Sequence, residues 1–409
     1  MRSVFHVRAS DKGFGARNVL SRSDEREFSL VLGGPLYQLY LRTKLTTSPL
    51  GHLFRRVVVV SLICWAPLLI LSVLDGQALG GVTIPFLLDP DVHVRLLVAI
   101  PLLIIAELIV HKRIVIVIRQ FVERDIVASE DRARFEQIVA STMHLRNSIV
   151  IEVALLLFCF GVGHWVWKGQ FALSGRTWYA VKSDGAIFLS KAGYWYAFVS
   201  LPIFRFLLFR WYFRIFLWYL FLWRVRGLPL QLNLYHPDRA AGLGFLASSV
   251  SAFSLVLLAQ TALISGAIVD RIWYTGANLT AFKVEIAGVL AFLILMVLLP
   301  LSFFVMHLEN ARRVAKRELG ILSSKYVDDF RAKWVEHAEE DEPLLGTPDI
   351  QSLADLGNSF KTVDEIRLLP FGKQTLARLL GVLILPLLPL VLTIIPLKEI
   401  VSWIVKIVF

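Results

Sequence analysis

Cysteine is nearly absent. Cys64 and Cys159 are the only two, and both lie inside apolar runs, so neither a disulfide framework nor a cysteine metal site is expected. Also missing are a glycine-rich nucleotide loop with its lysine, a His-Glu-x-x-His zinc pair and a Gly-x-Ser-x-Gly nucleophile elbow. The sequence therefore offers no catalytic, cofactor-binding or metal-ligating residue, and no cofactor is expected. The first 55 residues lack the short apolar core and small-residue cleavage site of a secretory signal, so the first long hydrophobic run reads as a retained span. Charge is sparse as well, at 18% of residues.

What fills the chain instead is apolar. Hydrophobic residues make up 56% and the mean hydropathy is +0.64, more than a water-soluble core of this length needs. A bilayer span takes about 20 mostly apolar residues, and several such runs alternate with charged segments. The predicted fold class is all-α, a polytopic transmembrane helix bundle of about seven spans with a cytoplasmic N-terminus and a helical cytoplasmic segment.

Four parts are expected along the chain. Residues 1–55 form a basic N-terminal segment whose apolar stretch at 33–41 is too short to cross and reads as interfacial. Residues 56–306 form a six-span membrane domain. Its fourth span is placed at about residues 194–209, with the aromatic and arginine-rich remainder emerging along the interface, where Trp and Tyr gather and arginines snorkel. Residues 168–191 are read as a polar loop. Residues 307–375 form a helical segment with an acidic run, Glu339-Glu340-Asp341-Glu342. Residues 376–409 form a last span and amphipathic tail, or a re-entrant segment if Pro386, Pro389 and Pro396 turn it back.

Lys and Arg near the short loops set the orientation. The segments before residue 56 and after His111, Arg210 and His307 are basic, whereas residues 75–92 hold three aspartates and neither Lys nor Arg. The loop with Lys168, Arg176, Lys182 and Lys191 breaks this pattern. The net charge of +11 is spread through loops beside spans, which points to the lipid bilayer and its anionic headgroups, not to a nucleic acid. Assembly as a homo-oligomer is compatible with this pattern.

An ionisable residue inside a span is a functional candidate by default. Glu107, Glu152, Arg205 and Arg210 fall at similar depth and form the candidate polar cluster, either a pathway for ions or protons or a static ion-pair group that fixes helix register. Arg95 and Glu285 lie near span ends and read as headgroup-facing. His164, beside Trp165 and Trp167, reads as part of an interfacial belt. Arg214 continues the series after Arg210, at a spacing unlike a voltage sensor. His236, Asp238 and Arg239 form a candidate loop site. There Asp238 is expected to cap the next helix, Gly242 and Gly244 to admit a neighbouring backbone, and Arg239 to favour a small anion or headgroup at the helix start. The run Ile350, Leu353, Leu356 and Phe360 has helical spacing, and its apolar face is expected to dock beneath the spans near His236.

Three stretches belong together: Val82-Thr83-Ile84-Pro85-Phe86-Leu87-Leu88-Asp89; His236-Pro237-Asp238-Arg239-Ala240-Ala241-Gly242-Leu243-Gly244-Phe245-Leu246; and Asp349-Ile350-Gln351-Ser352-Leu353-Ala354-Asp355-Leu356-Gly357-Asn358-Ser359-Phe360. With Pro386-Leu387-Leu388-Pro389-Leu390 they resemble a family of uncharacterised bacterial inner-membrane proteins over most of the chain. The resemblance implies a bacterial inner-membrane location and carries no activity. The leading functional expectation is a channel or transporter-like protein for ions or small solutes. A membrane-anchored interaction or assembly protein is the alternative, and a lipid-modifying enzyme the third.

Overall fold

The computed structural model describes residues 28–47, 49–170, 177–183, 186–336 and 348–393, without the side chains of 162–170 and 181–187. The side chain of His164, the acidic run at 339–342 and Pro396 lie outside the described residues. Ten helices make up the fold among the described residues: α1 Pro35–Arg42, α2 Leu53–Leu74, α3 Pro90–Glu123, α4 Arg132–Arg146, α5 Ile149–Gln170, α6 Lys191–Val225, α7 Leu243–Thr275, α8 Leu279–Glu336, α9 Pro348–Asp364 and α10 Lys373–Val391. Their only sheet partner among the described residues is an antiparallel hairpin, β1 Ala180–Ser183 with β2 Ala186–Leu189. The protein is an all-α polytopic bundle. Among the described residues six helices (α2, α3, α6, α7, α8 and α10) are long and apolar enough to cross a membrane, and a seventh span results if the pair α4 and α5, bent by 42° at its break, counts as one.

Proline sets much of the helical detail. In α3 the stretch Val94–Ala99 is π-helical just before Pro101, and in α6 the stretch Tyr196–Ser200 is π-helical just before Pro202. A proline has no N–H for the preceding turn and its ring crowds that turn's carbonyl, so widening by one residue relieves both. Pro67 sits inside α2.

The centre of the bundle is α3, which packs on α2, α6 and α7, while α4 and α5 pack on α6 and α10 packs on α7. At one end Phe121 meets Phe221 and Phe245 edge-on, and Phe135 meets Phe221 edge-on. At the other, Trp178 is fully buried against Phe86. Its indole N–H donates to Asp89 at 2.9 Å, and the other Asp89 oxygen accepts the Val92 N–H at 3.0 Å and so caps α3. Ile84 bridges to Thr177, and the Tyr274 hydroxyl donates to the Leu88 carbonyl at 2.7 Å. These links put the 75–92 loop, the hairpin and the C-terminal end of α7 at one end of the bundle, despite the lysines in the hairpin region. Val127 pairs with Leu230 at the opposite end, with the basic connectors.

Several expectations are corrected. The fourth span does not stop near residue 209: α6 runs unbroken for 35 residues to Val225, and Trp211, Arg214, Trp218, Phe221 and Val225 are buried. Arg210 and Arg214 have carboxylate partners inside the bundle and the buried rings pack in the core, which holds this half of the helix against its neighbours. Helix α1 is two-faced: Tyr37 and Tyr40 are buried against the bundle, while Gln38, Leu39 and Arg42 are exposed. The presumed polar loop at 168–191 contains the hairpin and the buried Trp178. Arg95 does not simply reach for headgroups: it pairs with Asp91 at 2.5 Å and donates to the Tyr196 hydroxyl at 2.6 Å. Glu285 pairs with Arg271 at 3.5 Å.

Helix α8 continues far past the length of a span, and α9 lies along its outer part, with Ala315, Leu319, Val363 and Ile366 forming a small core that Leu234 and Leu356 join. The segment after α9 meets the 236–239 loop directly. Arg367 N–H donates to the Arg239 carbonyl at 2.8 Å, and Arg239 pairs with Glu365 at 3.1 Å.

Candidate functional site

Five helices converge on Glu107, in the middle of α3. Its carboxylate is 3.1 Å from Arg56 Nη2 on α2, 3.4 Å from Arg210 Nη1 and 2.8 Å from Arg214 Nη2, both on α6. Arg210 Nε lies 2.9 Å from Glu152 Oε1 on α5, and its Nη2 donates to the Gly33 carbonyl at 3.1 Å. Glu152 Oε2 accepts the Leu36 N–H at 2.9 Å. That N–H is one of the orphan donors at the start of α1, where a carboxylate is favoured. All five charged side chains are 6% exposed or less.

Local sequence explains how this is built. Arg210 and Arg214 are four residues apart on a helix and share a face. Pro35 opens α1 with its fixed φ. Gly34 has φ +85°, and a Cβ there would stand 3.0 Å from Glu152 Oε1, so only glycine lets the chain turn this close to the carboxylate. Ser29 anchors the preceding segment: its hydroxyl oxygen accepts the N–H groups of Val31 and Leu32 and meets His111 Nδ1 at 3.0 Å, while its carbonyl accepts from Arg146.

Three guanidiniums face two carboxylates, leaving one excess positive charge. Tyr40 lies beneath Arg56, 5.4 Å from ring centroid to guanidinium carbon, and burial, then the Glu107 charge, pushes its hydroxyl up to about 12. It stays neutral and cancels nothing. Arg56 is fully buried, and its Nε and Nη1 have no hydrogen-bond partner. Even its Nη2, near Glu107, is off the line of a hydrogen bond. A buried charged donor without a partner is costly, which makes Arg56 the strained member of the group.

Of the residues predicted for the cluster, Glu107, Glu152 and Arg210 come together and Arg205 does not. Arg205 is five residues before Arg210, which places it about 140° round the helix on a different face, and it forms no ion pair among the described residues. Arg56, Arg214 and Tyr40 are cluster members that sequence reasoning left out. The four-residue step from Arg210 was the available signal for Arg214. A cavity of about 900 Å³ opens beside the group between α1 and α5, lined by Gly34, Gln38, Arg146, Glu152, Leu156 and Phe206 among others.

The loop residues form a different arrangement. Asp238 is an internal clasp: Oδ1 accepts the N–H groups of Ala240 at 2.8 Å and Gly242 at 3.2 Å, and Oδ2 accepts that of Gly244 at 2.9 Å. His236 Nδ1 is 3.1 Å from Asp238. Gly242, not Asp238, stands at the N-cap of the next helix; Asp238, four residues earlier, mainly closes its own loop and reaches one first-turn donor, the Gly244 N–H. What approaches Gly244 is the Asp238 side chain, not a neighbouring backbone, and Gly242 faces the Ile126 side chain. The Asp238 carboxylate already takes the amides of Ala240, Gly242 and Gly244, where an external anion was expected to bind. Among the described residues no group of three or more His, Cys, Asp or Glu side chains is placed to hold a metal ion. Searches with this chain against family models, curated proteins and solved structures return no match, so its assignment as a multi-pass membrane protein rests on its own helices and their packing.

Proposed function

We propose that the chain is a channel- or carrier-like protein for a small anion, that the arginine–glutamate cluster is its binding centre, and that it resides in a bacterial inner membrane with the basic end of the bundle in the cytoplasm. The observation that carries this reading is the excess guanidinium of the cluster, with Arg56 buried and two of its nitrogens unpartnered. An anion beside Arg56 satisfies those donors and neutralises the excess charge. A purely architectural cluster has no need of the third arginine, because two pairs would close without charge left over. The 900 Å³ cavity reaches the edge of the cluster at Glu152 and stops short of Arg56, so on this reading an anion passes Glu152 to reach the buried guanidinium.

Halide flux into liposomes carrying the full chain tests this. The reading requires flux in the wild type, its loss in Arg56→Met, and unchanged flux in Arg205→Gln, whose side chain is outside the cluster. No flux from well-incorporated protein under several anion gradients and voltages would overturn it.

A second reading, a membrane-anchored assembly protein, draws on the outer arm. Ile321, Leu322, Val327 and Val335 of α8 and Ile350 and Phe360 of α9 are exposed there, although the two helices already pack on each other. Deletion of residues 307–373 that abolished assembly and left flux intact would favour it.

A further inference from the structure

Away from the cluster, two cavities adjoin at the basic end and share Ala247 and Thr375 in their walls. The outer one, about 650 Å³, lies under the 238–244 loop and is lined by Arg239, Arg367 and Lys373. The inner one, about 610 Å³, runs between α7 and α10, with Arg113 and Arg378 in its wall and Val250, Leu379, Val382 and Leu385 as its apolar surface. Arg113, Arg367, Lys373 and Arg378 have no ion pair among the described residues, and Arg239 alone is matched, by Glu365. The carboxylate that does face the outer cavity, Asp238, is spent on three backbone N–H groups. Three serines on the α7 side cannot replace the cations as donors, since Ser248, Ser251 and Ser254 each donate to the carbonyl three residues back.

From this geometry we infer that the paired cavities bind a phospholipid whose headgroup carries two negative charges, with the phosphate among Arg239, Arg367 and Lys373 and an acyl chain along Leu379, Val382 and Leu385. Charge chooses the headgroup: Arg367 and Lys373, unmatched around the outer cavity, attract phosphate, and the arginine fork suits its oxygens. The apolar continuation chooses a lipid over a free anion. A soluble phosphate gains nothing from the inner cavity, whereas a chain there gives up water for apolar contact. This site stands apart from the arginine–glutamate cluster and does not depend on the anion-transport reading.

Native mass spectrometry of the detergent-solubilised full chain provides the test, with phosphatidic acid, phosphatidylcholine and inorganic phosphate as probes. Phosphatidic acid is expected to stay bound at least about ten-fold more tightly than phosphatidylcholine, and Arg367→Gln with Lys373→Gln to remove that preference, in line with the contribution of individual basic residues near an anionic surface. Both residues are exposed, so the fold survives their loss, which an unchanged melting temperature verifies. Leu385→Trp, which fills the inner cavity and keeps every cation, is expected to weaken the lipid as well. Equal retention of the two lipids, retention untouched by the double substitution, or full displacement by millimolar inorganic phosphate would each overturn the inference.

Discussion

Glu107 is the residue on which the cluster turns, because one carboxylate serves three guanidiniums. Breaking a buried ion pair by removing one partner costs about 3–5 kcal/mol, so Glu107→Gln is expected to lower the melting temperature sharply in detergent, whereas Arg205→Gln is expected to leave it nearly unchanged. Arg56→Met should differ from both. Two of the Arg56 nitrogens have no partner, and an apolar side chain of similar volume escapes the desolvation of a buried charge. Thermal melting is therefore expected to show Arg56→Met at or above wild-type stability while anion flux is lost. A large loss of stability would mean that Arg56 is structural. Glu107, Glu152 and Arg210 were legible in the sequence because a charge within an apolar run is conspicuous. Arg56 was not, since an arginine at the edge of a run reads as snorkelling, and only the covering helix α1 makes it buried.

Helix α1 is held by features that few residues could replace. Gly34→Ala places a side chain at φ +85° and 3.0 Å from Glu152, a loss of roughly 1 kcal/mol or more from the backbone alone. Faster hydrogen exchange at the Leu36 amide is the expected consequence. At the outer arm, α9 is tied to α8 by Asp364, whose carboxylate accepts from Lys316 at 2.5 Å and from Arg312 at 3.3 Å. The Lys316 hydrogen bond, then that from Arg312, holds Asp364 below its usual value. The Lys333 and Trp334 hydrogen bonds do the same for Asp349. A carboxylate with a lowered folded pKa stabilises fully above its unfolded value and loses that contribution as pH falls through the lowered one. The protection of the α9 amides, taken relative to intrinsic exchange at each pH, is therefore expected to be flat from pH 7 to about pH 5 and to fall below about pH 4, the usual Asp value. Asp364→Asn should remove most of that acid dependence. The helical spacing of Ile350, Leu353, Leu356 and Phe360 was readable; that α9 meets α8 through Leu356 and Val363, with Ile366 just beyond its end, leaving Ile350 and Phe360 exposed, was not.

Across the whole molecule, the two ends of the bundle are chemically unlike. The 236–239 loop, α4 and the α8–α9 arm lie with the basic connectors, while the 75–92 loop and the hairpin meet through Trp178 and Asp89. In inside-out vesicles, protease is expected to cut near Tyr235 and within α9 and to spare residues 75–92, and cleavage of that loop instead would reverse the orientation. In a background without Cys64 and Cys159, both buried free thiols, Val153→Cys in the 900 Å³ cavity should react with a water-soluble thiol reagent. Val110→Cys, at a fully buried position on α3, should not.

The sequence by itself determined the class of this protein and most of its crossings, because the bilayer demands some twenty apolar residues per span and that demand is local. It also exposed the anomalous charges and the local role of Asp238, whose partners are a few residues away. Only the tertiary structure decided that α6 continues past residue 209, that Arg214 and Arg56 join Glu107 while Arg205 turns aside, and that Trp178, just before the hairpin, closes over Asp89. Those outcomes depend on contacts between distant segments: Arg210 with Gly33, Trp178 with Asp89, Arg239 with Glu365. Burial of a charge is a property of what covers it, and the covering helix is written elsewhere in the chain.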